Sequence, residues 1–126
     1  MSVTVLIADD REILREAIRE VLNLDPDIKI VGEVDDFPQT IASIRELSPN
    51  VVVLDLHMPA PPDFLFAEIK RAVTDAGSKV ITISVWRDEP SRALAASFGS
   101  LILLDKSSLG TSLIPAIRQL MATDTN

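Results

Sequence analysis

Three carboxylates, a hydroxyl and an amine stand where short apolar runs stop. Asp9 and Asp10 follow Val5-Leu6-Ile7-Ala8, Asp55 closes Val51-Val52-Val53-Leu54, Ser84 follows Val80-Ile81-Thr82-Ile83, and Lys106 lies just past Leu103-Leu104-Asp105. Carboxylates brought together repel one another, which raises one pKa or requires a cation. All-oxygen ligands without a nearby His or Cys favour Mg²⁺, which keeps several waters and takes only one or two carboxylates directly. Such an ion recruits phosphoryl oxygens at its open positions, and Lys106 and Ser84 supply further positive charge and a hydroxyl. The set reads as a site for phosphoryl transfer to a carboxylate.

The elements that must bring these residues together follow from periodicity. Val3 to Ala8 is a β-branched run suited to a strand buried on both faces. Ile13, Leu14, Ala17, Ile18, Val21 and Leu22 fall on spacings of three and four and predict an amphipathic helix. The alternation repeats as strand Ile28 to Val34, helix from about Pro38 to Leu47, and strand Val51 to Asp55. After a Pro-rich loop come helix Phe64 to Ala76, strand Lys79 to Ser84, helix Asp88 to Phe98 and strand Leu101 to Leu104, with Gly77 and Gly99 as helix stops. Pro115 inside the last apolar pattern predicts that the final helix starts late, near Ser112 as N-cap, or is kinked. Five βα units joined by right-handed crossovers make one α/β domain, a parallel sheet with helices on both faces. In the flavodoxin-like order 2-1-3-4-5, ligands sit at the carboxyl ends of the strands, where the five polar groups converge.

Composition sets the remaining bounds. The 126 residues, 47% of them apolar, suffice for one core. With 19 acidic against 12 basic residues, the net charge of -7 repels a phosphate backbone and argues against DNA or anionic-membrane binding by this domain. The absence of Cys removes disulfides and thiolate chemistry and fits a reducing cytoplasm. No apolar run reaches the roughly 20 residues of a membrane span.

Val5-Leu6-Ile7-Ala8-Asp9-Asp10, Val53-Leu54-Asp55-Leu56-His57-Met58-Pro59, the strand-end Ser84 and Leu104-Asp105-Lys106, in this order and spacing, resemble the receiver domain of two-component response regulators. The resemblance runs from about Val3 to Met121. Val31-Gly32-Glu33 and the Ala-Asp-Asp-Arg start make it most similar to receivers of the NarL/LuxR type. It implies that Asp55 accepts a phosphoryl group from a histidine kinase or phosphotransfer protein. Asp10 is then a direct Mg²⁺ ligand and Asp9 mainly a water-mediated one, with Asp55 and the main-chain carbonyl of His57 completing the set. Lys106 pairs with the phosphoryl oxygens, and Ser84 moves toward them. His57 and Trp86 modulate water access to the phosphate. The domain is then not a conventional enzyme, but it catalyses its own phosphorylation and slow dephosphorylation. A receiver over residues 1–121, with residues 122–126 as a tail or linker, homodimerisation on phosphorylation, a cytoplasmic location and a separate helix-turn-helix output complete the expectation.

Two departures bear on this expectation. Leu103 replaces the family's aromatic switch residue and Ile102 its usual glycine. Ala60-Pro61-Pro62-Asp63-Phe64 replaces a glycine-containing loop. They leave open a degenerate receiver acting as a phosphorylation-independent interaction module. Two other classes fit less well. A haloacid dehalogenase-type phosphatase needs an acid where His57 stands, and a flavodoxin-like carrier would repel its cofactor phosphate with Asp9-Asp10. Plainer roles also stand beside the functional ones: helix capping for Asp9 and Asp10, a solvated strand end for Asp55, pairing with Asp105 for Lys106, and a local backbone bond for Ser84. His57 as an acid or base is a further alternative. Phe37, Phe64, Phe66 and Phe98 read as core, and Asp35-Asp36 and Asp88-Glu89 as helix-start charges.

Overall fold

The β-branched runs pair side by side into one parallel sheet, because each is apolar on both faces and must be covered twice. The computed structural model describes residues 2–59, 63–100 and 102–123, without the side chains of 63–65 and 123. Ala60-Pro61-Pro62 of the Pro-rich loop, Leu101, the Phe64 side chain and residues 124–126 lie outside that description. The elements are β1 (Val3–Ala8), α1 (Glu12–Leu22), β2 (Ile28–Val34), α2 (Phe37–Leu47), β3 (Val51–Asp55), α3 (Asp63–Ala76), β4 (Lys79–Ser84), α4 (Glu89–Ser97), β5 (Ile102–Asp105) and α5 (Leu109–Thr123). The strand order is β2-β1-β3-β4-β5, as expected from the alternation.

Successive strand residues point to opposite faces, so each strand feeds two cores. Leu6, Val52 and Leu54 face Phe37, Ile44, Ile69 and Phe98 from α2, α3 and the end of α4. Val5, Ile7, Val53, Ile81 and Ile83 face Ile18 and Leu22 of α1 and Leu113 and Ile117 of α5. Phe37 stacks on Phe98 at 5.5 Å between ring centroids, and Phe66 meets Phe98 edge-on at 5.1 Å. Gly32 leaves room for the side chains of its β1 partner Leu6 and of Leu47 in α2: a Cβ there would lie 3.1 Å from Leu6 Cδ1 and 3.3 Å from Leu47 Cδ1.

Helix boundaries follow local chemistry. Asp36 accepts from Gln39 N at 2.7 Å and Asp88 from Ser91 N at 3.0 Å, each capping a helix whose first turn holds a proline. Gly77 and Gly99, at φ +70° and +82°, follow α3 and α4 closely. The late start near Ser112 is corrected: α5 begins at Leu109 and carries Pro115 inside it. A 3₁₀ turn over Lys106–Ser108, capped by Asp105 Oδ1 on Ser107 N at 2.9 Å, leads directly into the helix. Buried Leu109 fixes that entry. The helix continues through Ala122 to Thr123.

Candidate functional site

Parallel register brings the strand ends to one edge. Ala8 pairs with Leu54, Asp55 with Ile83 and Ser84 with Asp105, so the residues at and just after these positions converge. Asp9 is fully buried and Asp55 is 1% exposed, whereas Asp10 is exposed. Lys106 Nζ stands between the buried pair, 3.0 Å from Asp55 Oδ1 and 3.1 Å from Asp9 Oδ2. The ammonium is thus bound to the site carboxylates and not to Asp105. Asp9 Oδ2 nevertheless has no hydrogen-bond partner of good geometry. Its other oxygen accepts from Arg11 N at 2.8 Å, while Arg15 Nη1 donates to the Asp9 carbonyl at 2.6 Å. Asp9 is therefore not a cap of α1, whose N-cap is Arg11 without a side-chain bond.

Burial pushes the Asp55 carboxyl above its ordinary pKa, and the charge of Asp9 adds to the effect. The His57 N–H, which donates to Asp55 Oδ1 at 2.9 Å, and Lys106 act in the opposite sense. One carboxylate oxygen from each of Asp9, Asp10 and Asp55 lies within 4.8 Å of the other two. Crowded hard oxygens, one of them buried without a hydrogen bond, fit a small divalent cation such as Mg²⁺.

Ser84 is fully buried and faces neither Asp55 nor Lys106 with a hydrogen bond. Its Oγ accepts from Trp86 N at 2.9 Å and pairs with His57 Nε2 at 2.9 Å. Trp86 meets His57 edge-on, 4.9 Å between ring centroids, and remains 56% exposed. These two rings, with Asp10, Arg11, Asp55 and Lys106, line a cavity of about 140 Å³ at the strand edge. The arrangement offers a buried carboxylate, a fixed cation beside it and an opening to solvent.

Sequence reasoning did not assign Arg11 or Arg15 to this edge, nor join His57 to Ser84. The basic residue after Asp9-Asp10, and another four positions on along the same helical face, was the available signal for the arginines. Elsewhere Asp35 Oδ1 accepts from Gln39 Nε2 at 2.9 Å, a helix-start role.

A model of the response regulator receiver domain matches residues 5–118. The chain belongs to the response regulator receiver family. It is 29% identical to the nitrate/nitrite response regulator protein NarL of Escherichia coli K12 over 119 residues, 94% of this chain and 55% of that protein. It is 30% identical over 106 residues to a protein-glutamate methylesterase/protein-glutamine glutaminase of Anaeromyxobacter dehalogenans, covering 84% of this chain and 30% of that protein. The chain therefore spans about a third to about half of these relatives. Its fold superposes on the signal receiver domain of a response regulator designated NarL from Mycobacterium tuberculosis with TM-score 0.80 and 28% identity, covering 94% of both chains. The non-phosphorylated RcsB receiver domain of Escherichia coli, at 24% identity, shares the fold with TM-score 0.84 over 98% of this chain and 95% of that one. Among receivers of two-component systems, this one is similar to the NarL/LuxR type.

Proposed function

We propose that this receiver is a phosphoacceptor switch, taking a phosphoryl group onto Asp55. The observation that carries the reading is a buried Asp55 carboxylate, 3.0 Å from the Lys106 ammonium, opening onto a small cavity beside two more carboxylates. An Asp55 oxygen forms the new P–O bond as the P–N bond of a donor phosphohistidine breaks, and the departing imidazole nitrogen takes a proton. Lys106 holds the phosphoryl oxygens by charge, and Ser84 supplies a hydroxyl to them. Asp9, Asp10, Asp55 and the His57 carbonyl would hold Mg²⁺, which supplies compensation for the gathering negative charge.

The donor we assign is a histidine kinase or phosphotransfer protein presenting a helix. Ile13 is 81% exposed, and it lines an apolar groove of about 620 Å³ with Leu14, Ala17, Val85 and Lys106, beside the acceptor. A homodimer on phosphorylation and an output through a helix-turn-helix domain outside this chain complete the proposal, supported by the NarL-type likeness. The domain's net charge of -7 is consistent with DNA contact being made elsewhere.

Leu103, aliphatic at the family's aromatic position, supports a second reading as a phosphorylation-independent interaction module. One experiment decides between them. Intact-mass analysis after acetyl phosphate treatment should show one added phosphoryl group only with Mg²⁺, and none in Asp55→Asn. An unlabelled wild-type chain favours the interaction module, and full labelling of Asp55→Asn places the acceptor elsewhere.

A further inference from the structure

Ser84 Oγ has one hydrogen and two lone pairs to distribute. Trp86 N–H occupies one lone pair at 2.9 Å, and His57 Nε2, at 2.9 Å, takes either the hydrogen or the second lone pair. In both tautomers the oxygen is pinned between the Trp86 main chain and the imidazole. We propose that His57 is a positioning residue which latches the Ser84 hydroxyl away from Asp55 in the unphosphorylated domain, and that Trp86 is the third member of this latch. The proposal rests on the phosphoacceptor reading and adds how that site is held off.

The physical argument is a competition for one hydroxyl. Without a phosphoryl group, Ser84 Oγ has the imidazole and the Trp86 N–H as its partners, and the bond to His57 holds the end of β4 against the segment after β3. A phosphoryl group on Asp55 brings anionic acceptor oxygens, and hydrogen bonds to an ionised acceptor are roughly twice as strong as neutral ones. Ser84 then leaves His57. Trp86 is attached to the latch twice, through its main-chain N–H on Ser84 Oγ and through its ring against His57. Release therefore frees an indole that is already 56% exposed and has His57 as its ring partner among the described residues. The latch lowers the population of the phosphoryl-ready arrangement by about the worth of one net hydrogen bond, a factor of roughly 2 to 10.

His57→Leu removes the bond at similar bulk, and His57→Gln keeps an amide able to reach Ser84. With phosphoramidate and Mg²⁺, His57→Leu should be labelled about 2- to 10-fold faster than wild type. His57→Gln should return toward the wild-type rate. In a Ser84→Ala background, His57→Leu should change nothing. In metal-free protein, the emission of Trp86, the sole tryptophan, should shift in His57→Leu toward that of phosphorylated wild type. Equal labelling of wild type and His57→Leu overturns the latch and leaves the acceptor in place. The same acceleration in the Ser84→Ala background also overturns it, because His57 then acts without Ser84. A wild-type chain that takes no phosphoryl group overturns the acceptor reading itself.

Discussion

The two ends of the sheet treat polar groups in opposite ways. At the amino end, Asn50 Oδ1 accepts from Thr4 N at 2.8 Å and Thr4 Oγ1 at 3.0 Å, while Asn50 N donates to Thr4 Oγ1 at 2.9 Å. Ser78 Oγ donates to the Pro49 carbonyl at 2.6 Å, and buried Asp25 pairs with Arg118. At the carboxyl end, one ammonium serves two buried carboxylates, Asp9 Oδ2 lacks a hydrogen bond, and burial raises the Asp55 pKa. Groups at the first end tie strands and loops together. Those at the second crowd carboxylate charge around one ammonium and leave a buried oxygen without a hydrogen bond, and that difference sets the two ends apart. The groove of about 620 Å³ beside α1 reaches the carboxyl edge at Lys106, whereas a cavity of about 570 Å³ along α3 lies away from it.

The comparison predicts its largest effect at Lys106. Lys106→Met leaves Asp9 and Asp55 buried without their shared cation, and removing one partner of a buried pair costs about 3–5 kcal/mol. Urea unfolding of the metal-free variant should show that loss, and millimolar Mg²⁺ should restore part of it. A variant as stable as wild type without metal would show that the carboxylates are not strained by their enclosure.

Two further substitutions should move stability in opposite directions. Asn50→Ala removes the acceptor of two Thr4 bonds and should destabilise by about 1 kcal/mol, without changing Mg²⁺-dependent labelling. Asp55→Asn removes a desolvated charge beside Asp9 and should stabilise the metal-free chain. Thermal melts without Mg²⁺ test both, and a lower Tm for Asp55→Asn would break the contrast between the two ends.

How much of this was legible depends on the range over which each feature is determined. β1 and β3 could be read because burial on both faces demands unbroken apolar runs, and the convergence of Asp9, Asp55, Ser84 and Lys106 follows because a parallel sheet gathers all its carboxyl ends. The start of α5 could not. Pro115 argues locally for a late start, but the Asp105-capped turn and buried Leu109 begin the helix upstream. The His57 to Ser84 bond joins residues 27 apart through the Asp55 to Ile83 register, which no local pattern encodes. Arg19 to Glu33, at 2.7 Å and 14 positions apart, was hidden for the same reason.

The smallest effect separates Asp55 from Glu33 by the sign of their pH dependence. Asp55 has a folded pKa above its ordinary value, so the folded metal-free state holds its proton more tightly than the unfolded state. Its contribution is fully present below the ordinary aspartate range and is lost as pH rises through the raised value. Glu33 is the opposite case: the Arg19 guanidinium bonded to it holds its pKa below the ordinary value, with the charges of Arg19 and Arg15 adding to the effect against partial burial. Its contribution is present above the ordinary glutamate range and is lost as pH falls through the lowered value. The Glu33 effect is the weaker, because Arg19 is open to solvent and salt screens the pair. Urea midpoints followed from acid to neutral pH without Mg²⁺ should therefore give a profile for Asp55→Asn that rises more with pH than wild type. The profile for Glu33→Gln should rise less. Parallel curves for Asp55→Asn and wild type would mean that the Asp55 carboxylate is no harder to ionise in the folded domain than in the unfolded chain, and burial of that carboxylate would then not set the carboxyl end of the sheet apart.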